Sequence, residues 1–215
     1  MSEFIKETLV LGMVQTNCYI ITNGDTREAI VIDPADDADR LYQYIKSNDL
    51  VCKGILLTHG HFDHILAAKE LAEKTRVKIY AQEEEAKLLA DKLLNASVKF
   101  GQEYSLVPDA LLKDNEVIEL AGFVIRVIHT PGHTAGGACY YFTEHRVLFS
   151  GDTLFYESIG RYDLPTSDGR RLLESIRSKL MLLQDEVAVC PGHGPATTIG
   201  HERENNYFIR RREND

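Results

Sequence analysis

Histidines are concentrated in three short, turn-like segments of this 215-residue sequence. Five of the eight lie in THGHFDH (58–64), TPGHT (130–134) and PGHG (191–194), and FSGDTLF (149–155) adds an aspartate. Neutral imidazoles and carboxylates are the side chains that hold zinc and similar divalent cations. The four segments supply five imidazoles and two carboxylates, which is enough for two metal ions.

The THGHFDH motif follows an apolar run and precedes a helical pattern. Residues two apart point to different faces of a helix, so His59 and His61 converge only if they lie in a loop after a strand. Gly60 lets that loop turn tightly, and Asp63 and His64 then begin the helix. A polar loop whose Asp63 only caps the helix is the alternative. Three histidines and an aspartate so close together argue against it.

Three further residues, His133, Asp152 and His193, share one local pattern. Each lies beside a glycine just past the end of an apolar run that predicts a strand. Taken alone, each is as easily a solvated loop or turn residue. Loops at one edge of a sheet are where folds of this kind gather binding and catalytic side chains. The shared pattern therefore predicts that all three join the THGHFDH group.

Short apolar or alternating runs predict ten strands, and four amphipathic patterns predict helices. The strands are 4–11, 18–22, 29–32, 54–58, 77–80, 117–120, 123–128, 138–142, 147–150 and 187–190; the helices are 38–47, 65–74, 83–94 and 170–183. The stretch 95–115 lacks periodicity and predicts a surface excursion, and the polar tail 209–215 is expected to fray. This alternation predicts one layered α/β domain over residues 1–215.

Composition and charge limit the classes of partner. Hydrophobic and charged shares of 44% and 27% are typical of a soluble globular protein, and no apolar run approaches the roughly 18 residues of a membrane span. The net charge of −9 argues against nucleic acid as a partner. Four scattered cysteines without a CxxC pair, and an N-terminus without a secretory pattern, predict the cytoplasm. A small-molecule substrate is expected, and the oligomeric state is open.

HxHxDH, a distant GHT, GDTLF and PGHG, in this order, resemble the metallo-β-lactamase superfamily and, within it, the glyoxalase II or hydroxyacylglutathione hydrolase branch. The resemblance implies a four-layer αβ/βα sandwich with its site at one edge between two sheets. It implies two divalent metal ions, with zinc expected before iron or manganese. The implied ligands are His59, His61 and His133 for one ion, Asp63, His64 and His193 for the other, and Asp152 as the bridge.

Two positions separate this chain from other branches of the superfamily. The β-lactamases place other residues at the position of Asp152 and often use a cysteine ligand, whereas no cysteine here falls in a matching motif. The di-iron flavoproteins carry a glutamate in the first motif, where this chain has His64. The resemblance therefore disfavours both β-lactam hydrolysis and the chemistry of the di-iron flavoproteins.

The resemblance implies hydrolysis of a small thioester or ester, of the S-lactoylglutathione type, by a hydroxide that bridges the two metals. Asp63 and Asp152 are the expected catalytic carboxylates, with Asp63 taking a proton from the attacking water. Arg161 is the candidate for binding a substrate carboxylate, although it is as easily a solvated arginine paired with Asp163. Only about twenty residues follow PGHG, so the helical extension that grips glutathione in full-length glyoxalase II is not expected.

Two other activities remain open. His59, His133 and Asp152 alone form a two-histidine, one-carboxylate set that suits mononuclear iron, as in the related persulfide dioxygenases, and a metal-dependent lactonase would use the hydrolytic scheme. The absence of GxSxG disfavours a serine hydrolase. Asp33 is either a residue that orients a ligand imidazole or an ordinary turn aspartate. The remaining histidines (129, 145 and 201) have no reason to be ligands.

Overall fold

The computed structural model of this protein describes residues 2–210. Its first sheet has six strands in chain order: β1 (Phe4–Leu11), β2 (Thr16–Asn23), β3 (Glu28–Ile32), β4 (Val51–Leu56), β5 (Ile79–Gln82) and β6 (Ala110–Leu112). The first three strands pair antiparallel, and the strands from β3 to β6 pair parallel. Helices α1 (Ala38–Ser47), α2 (Phe62–Ile65), α3 (Ala68–Thr75) and α4 (Ala86–Ala90) lie between these strands in the chain.

The second sheet also has six strands, in the order β14-β13-β10-β9-β8-β7. They are β7 (Val117–Leu120), β8 (Phe123–His129), β9 (Ala138–Phe142), β10 (Val147–Gly151), β13 (Ala188–Pro191) and β14 (Thr197–Thr198). Only β10 and β13 pair parallel. A small ribbon, β11 (Leu154–Phe155) with β12 (Ser158–Ile159), and the helices α5 (Gly169–Ser178), α6 (Ile199–Asn205) and α7 (Tyr207–Arg210) complete the chain.

Three apolar layers hold the elements together. Between the sheets, large side chains of both sheets meet, among them Tyr19, Ile30, Phe123, Tyr140 and Phe149. Leu41 and Leu71 bury α1 and α3 against the first sheet, while Leu172 and Ile176 bury α5 against the second. Each fully buried aliphatic side chain contributes about 1.5–3 kcal/mol. The order helix, sheet, sheet, helix confirms the four-layer sandwich that the sequence predicts.

The candidate residues follow strands that end at one edge of this sandwich. β3 and β4 run parallel in the first sheet, so Asp33 and the 58–64 loop leave at the same edge. β8, β10 and β13 run in one direction in the second sheet. His133, Asp152 and His193 follow these three strands. The carboxyl ends of both groups of strands therefore carry the candidate site.

The prediction of a long helix over 83–94 is wrong. A 3₁₀ turn, Glu83–Glu85, leads into α4, which ends at Ala90. Asp91 adopts an extended backbone, and its carboxylate accepts the N–H groups of Leu93 and Leu94. This local bonding competes with the helix, and the apolar spacing of the segment does not reveal it.

Two other helices differ from prediction in extent. The pattern at 65–74 divides into α2 and α3 because the N–H of Ala67 bonds to the carbonyl of Pro34. The pattern at 170–183 ends as α5 at Ser178 and continues as a 3₁₀ turn, Leu180–Leu182. Both segments bury apolar side chains, among them Leu71 of α3 and Leu172 and Ile176 of α5.

The stretch 95–115 is mostly exposed, as predicted for a surface excursion, but buried polar side chains fix its start. Its side chains Asn95 and Ser97 are fully buried, and both donate hydrogen bonds to the carbonyl of Tyr104. A 3₁₀ turn, Ser97–Phe100, follows Asn95, and β6 joins the first sheet. Polar side chains thus organise a segment that has no hydrophobic period.

Two further expectations concern the whole chain. Cys18, Cys52, Cys139 and Cys190 are all buried and unpaired, as expected without a disulfide framework. None of the helices between residues 2 and 210 is long and apolar enough to cross a membrane. The prediction for the tail falls mostly on residues 211–215, which lie outside the described residues.

Candidate metal centre

Glycines allow the loops of the centre to approach closely. A side chain at Gly60 would meet Leu88 and Leu89 of α4 at 2.8–2.9 Å. At Gly192, a Cβ would lie 2.3 Å from Oδ1 of Asp152 and 2.6 Å from the His64 ring. Gly60 therefore allows close packing against α4, and its φ is not positive, so it does not use the left-handed backbone conformations open to glycine.

Three buried imidazoles form the first ligand group. Nδ1 of His61 lies 3.0 Å from Nε2 of His133, which in turn lies 3.3 Å from Nε2 of His59. Each of these residues is less than 5% exposed. Three ring nitrogens at one point are suited to holding a metal ion from one side.

A second ligand group lies beside the first. Oδ2 of Asp63 is 3.3 Å from Nε2 of His193 and 3.6 Å from Nε2 of His64. The two imidazole nitrogens are themselves 3.4 Å apart. The hydroxyl of Thr16 donates to the same Asp63 oxygen at 3.0 Å, which orients the carboxylate. This group of one carboxylate and two imidazoles can hold a second ion.

Asp152 lies between the two groups. Its Oδ2 is 3.5 Å from Nε2 of His133 and 3.6 Å from Nε2 of His193. Its Oδ1 is 3.4 Å from Nε2 of His64, yet this buried oxygen has no hydrogen-bond partner among residues 2–210. A carboxylate that faces both groups with an unsatisfied oxygen fits a role as a bridge between two cations.

Outer hydrogen bonds orient the imidazoles for metal binding. Nδ1 of His133 donates to the carbonyl of Arg161 at 2.8 Å, and Nδ1 of His64 donates to Oδ2 of Asp33 at 2.9 Å. Because these outer nitrogens carry the proton, the Nε2 lone pairs point into the centre. The donor set therefore fits a divalent metal.

Burial keeps the first group in the form that binds metals. Burial, and then the neighbouring His64 and His133 rings, hold the pKa of His59 well below its usual value. Burial and His133 lower the pKa of His61 to about 3, and burial also lowers the pKa of His133. Burial therefore favours the neutral form of these three imidazoles, which is the form that binds a metal.

The second group and the bridge favour a positive charge between them. Burial alone would lower the pKa of His64, but Asp63, Asp152 and Asp33 raise it well above its usual value. Burial would likewise raise the pKa of Asp152, but His64 and the other imidazoles hold it well below the usual range. A proton or a metal ion supplies the positive charge that these carboxylates favour.

Asp33 orients the centre, and the structure decides between the two roles that its sequence leaves open. Its Oδ1 accepts the N–H of Thr58, and its Oδ2 accepts the Thr58 hydroxyl as well as Nδ1 of His64. His129 instead bonds to the carbonyl of Ala135. His145 packs on Phe4 and His201 pairs with Glu157, so none of these three residues is at the centre.

A cavity of about 660 Å³ opens over the centre. Residues that the sequence does not single out line it, including Val14, Phe62, Lys99, Phe100 and Phe155. Phe100 stacks on Phe62 with ring centroids 4.3 Å apart. Only Phe62 and Phe155 could have been predicted from the sequence to lie near the centre, because they stand inside the motifs. The other residues lie in loops without a recognisable sequence pattern.

Arg161 lines the same cavity, where the sequence places it as a substrate-binding candidate. Its guanidinium donates two hydrogen bonds to the Asp163 carboxylate, at 2.7 and 2.9 Å. The pairing that the sequence offers as the alternative is therefore present, and a substrate carboxylate would compete with Asp163. Lys99, by contrast, has no ion pair within residues 2–210.

The fold and the metal centre define a class of protein. Two layered sheets with seven histidine and aspartate side chains at one edge are the arrangement that the four sequence motifs imply. Residues 11–193 match the metallo-β-lactamase superfamily. The protein belongs to this superfamily of metallo-hydrolases, whose members bind divalent metals.

Relatives within the superfamily cover almost the whole chain. The hydroxyacylglutathione hydrolase GloC of Haemophilus influenzae is 39% identical over 206 residues, which are 94% of this chain and 97% of GloC. The structure of the BLEG-1 B3 metallo-β-lactamase superposes with a TM-score of 0.91 and 40% identity, over 96% of this chain and 100% of that one. TTHA1623 in a di-iron-bound form has a TM-score of 0.82 and 35% identity, over 94% of this chain and 99% of that one.

Proposed function

We propose that this protein hydrolyses small thioesters, of the S-lactoylglutathione type, at a centre of two divalent metal ions. The observation that carries the proposal is the meeting of two ligand groups at Asp152 on the floor of a cavity. The similarity to GloC, a hydroxyacylglutathione hydrolase, supports the choice of a thioester.

The ligand assignment follows from the two groups. In our proposal His59, His61 and His133 hold one ion, Asp63, His64 and His193 hold the other, and Asp152 bridges them. Imidazole and carboxylate donors suit zinc, which is our proposed metal. Iron is the first alternative, because TTHA1623 has been solved in a di-iron-bound form, and manganese is the second.

The proposed reaction is the addition of water to a thioester carbonyl with loss of a thiol. When bound, two such ions lower the pKa of a water molecule and polarise the carbonyl of the substrate. Asp63, held by the Thr16 hydroxyl, accepts the proton of the attacking water. Asp152 holds the two groups together, and Asp33 holds the His64 ring in place.

The cavity supports a substrate with an apolar part and an acidic group. Phe62 and Phe100 give one wall an aromatic face. Lys99 offers a cation without a counterion among residues 2–210, whereas Arg161 already donates two hydrogen bonds to Asp163. We propose that Lys99 and Arg161 both attract the carboxylates of the substrate, with Lys99 contributing more.

The test measures free thiol released from S-lactoylglutathione by purified zinc-loaded protein. Thiol release that saturates with substrate and stops when a chelator removes the metal is the expected result. Parallel assays use a panel of lactones, oxygen uptake on glutathione persulfide and a penicillin, the last because BLEG-1 is a β-lactamase. No thiol release at millimolar substrate, with turnover in another assay, would replace the thioesterase by that activity.

The persulfide dioxygenase is the alternative that the structure also accommodates. Nε2 of His133 lies 3.3 Å from Nε2 of His59 and 3.5 Å from Oδ2 of Asp152, which supports a set of two imidazoles and one carboxylate for a single iron. The second group, with Asp63 and His193 3.3 Å apart, favours two ions. Elemental analysis that finds one iron and no second metal per chain would favour the oxygenase.

The remaining parts of the proposal concern partner and location. We propose a small molecule as the partner, since His61, Asp63, His133, Asp152 and His193 of the centre line a cavity of about 660 Å³. We propose the cytoplasm as the location, because all four cysteines are buried and none forms a disulfide. Fractionation of the native cells would test the location.

A further inference from the structure

Glu85 is a fully buried carboxylate that lies behind the histidine loops. Its exposed fraction is 1%. Oε1 accepts the backbone N–H of Gly60 at 2.7 Å, and Oε2 accepts the backbone N–H of Gly136 at 2.8 Å. Gly60 stands between His59 and His61, and Gly136 is three residues after His133. One side chain therefore connects the two loops that carry the first ligand group.

Both loops pack directly against the segment that carries Glu85. A Cβ added to Gly136 would lie 2.1 Å from the backbone nitrogen of Glu85, and a Cβ added to Gly60 would lie 2.8 Å from Leu88. Contact distances on one side and hydrogen bonds on the other leave the loops little freedom. Their separation is thus set by Glu85 and its own backbone.

The chemistry of the side chain matches this geometry. Two N–H groups require two acceptor oxygens, and an ionised carboxylate offers two without carrying a donor. Burial raises the pKa of Glu85 to about 7, and the bonds from Gly60 and Gly136 counteract the rise. No cation pairs with the carboxylate in the described part of the chain. Burying a carboxylate without an ion pair is unfavourable for stability. A role other than stabilising the fold would account for the presence of Glu85 at this position.

We propose that Glu85 is a positioning residue of the metal centre: its carboxylate sets the distance between the loop of His59 and His61 and the loop of His133, and so the fit of these imidazoles to one metal ion. The inference rests on the proposed metal ligation. The positioning role applies to the first ligand group alone, because the bonds of Glu85 to Gly60 and Gly136 do not reach Asp63, His64 or His193.

The test compares Glu85→Gln with the wild-type protein and with Glu83→Gln as a control. Glutamine keeps the size of the side chain but turns an NH₂ group toward one of the two N–H donors. Glu83 is exposed and begins the same 3₁₀ turn. Zinc binding is measured by competition with a chromophoric chelator. Side-chain ¹⁵N spectra of the histidines identify which imidazoles hold the metal.

Glu85→Gln is expected to weaken zinc binding at His59, His61 and His133 by about 10- to 100-fold, the range for loss of an outer partner of a ligand. Binding at His64 and His193 changes less, and Glu83→Gln behaves as wild type. Equal weakening at both groups, or unchanged zinc affinity with only a lower melting temperature, would overturn the inference and leave Glu85 a structural clamp.

A second variant keeps the test decisive if Glu85→Gln does not fold. Glu85→Asp retains both acceptor oxygens but withdraws them by one methylene, and it is expected to show a smaller loss confined to the same three imidazoles. Wild-type affinity in Glu85→Asp would contradict the positioning role. A wild-type protein that binds no zinc at His59, His61 and His133 would overturn the proposed function, a result distinct from a failure of Glu85 alone.

Discussion

Asp152 lies against imidazoles of both ligand groups, and in our proposal it bridges them. Its two oxygens lie 3.4–3.6 Å from Nε2 of His64, His133 and His193. Asp152→Ala is therefore expected to weaken both metal sites together by more than the about 10- to 100-fold that loss of an outer partner costs. Metal analysis after dialysis and the thiol-release assay both measure the effect, and most activity should be lost.

The control for this variant is Asp163→Ala, which removes an exposed carboxylate that pairs with Arg161. It should retain both metals. Circular dichroism should show that Asp152→Ala is folded, because the three apolar layers do not involve Asp152. Full metal content and turnover in Asp152→Ala would show that the bridging assignment is wrong.

Asp33 lies behind the second ligand group, where it accepts the Nδ1–H of His64. In the wild-type protein three donors, the Thr58 N–H, the Thr58 hydroxyl and the Nδ1–H of His64, share the two oxygens of Asp33. Asp33→Asn leaves only one acceptor oxygen for these three donors. The His64 ring loses its orientation, so we expect metal affinity at the second group to fall by about 10- to 100-fold. Chelator competition measures it, and the exposed Asp49→Asn is the matched control.

How far single residues can be predicted from sequence depends on their signal. The five motif histidines and two aspartates are conspicuous by type and spacing, and the structure brings all seven side chains together. Asp33 stays ambiguous in sequence because an Asp-Pro pair also forms ordinary turns. Glu85 carries no signal, since it ends a run of three glutamates that is typical of a solvent-exposed helix.

At the scale of secondary-structure elements, the helix boundaries are what the sequence predicts least well. Asp91 ends α4 through side-chain bonds to Leu93 and Leu94, and the hydrophobic spacing of 83–94 continues regardless. The early end of α4 lets the following chain turn back toward the centre, where Asn95 accepts the N–H of Phe62 through its carbonyl. The early end of α4, which the sequence does not predict, thus brings Ala96, Lys99 and Phe100 to the wall of the cavity.

The 3₁₀ turn Ser97–Phe100 gives a prediction about substrate charge. Lys99 has no counterion within residues 2–210 and lines the cavity, so Lys99→Met should raise KM for S-lactoylglutathione. A partly exposed charge pair contributes about 0.2–1 kcal/mol, which corresponds to a rise of up to roughly 5-fold. The kcat should not change, since the side chain binds ground and transition states alike.

A thioester without carboxylates tests whether this effect is electrostatic. Its KM should be the same for Lys99→Met and the wild-type protein, and added salt should reduce the difference seen with S-lactoylglutathione. Lys87→Met, at an exposed position of α4 outside the cavity, is the control. Equal changes in KM for charged and uncharged thioesters would assign Lys99 a packing role instead.

At the scale of the whole molecule, the sequence predicts the architecture better than its details. All ten predicted strands are present. They could be recognised because each has enough residues to show an apolar or alternating pattern. β6, β11, β12 and β14 have two or three residues and show no such pattern. The pairing of the two sheets follows from the resemblance to a known family rather than from periodicity, because contacts between distant strands leave no local signal.

The proposed metal ligands come from both sheets, and this leads to a prediction about stability. His59, His61, Asp63 and His64 follow the first sheet, whereas His133, Asp152 and His193 follow the second. Ions bound between them stabilise the folded chain only, by about 2.7 kcal/mol for each site at a free concentration one hundred times its Kd. For a domain of this size, 1 kcal/mol shifts the melting temperature by about 2–4 °C.

Removal of both ions by a chelator should therefore lower the melting temperature by roughly 10 °C or more. Zinc added back should restore it, and differential scanning calorimetry measures both steps. Asp152→Ala provides the control, because a chain that binds the ions weakly should respond little to the chelator. The repulsion between Asp63 and Asp152, relieved by the bound cations, acts in the same direction. An unchanged melting temperature after verified metal removal would show that the layers between the sheets hold the fold without the centre.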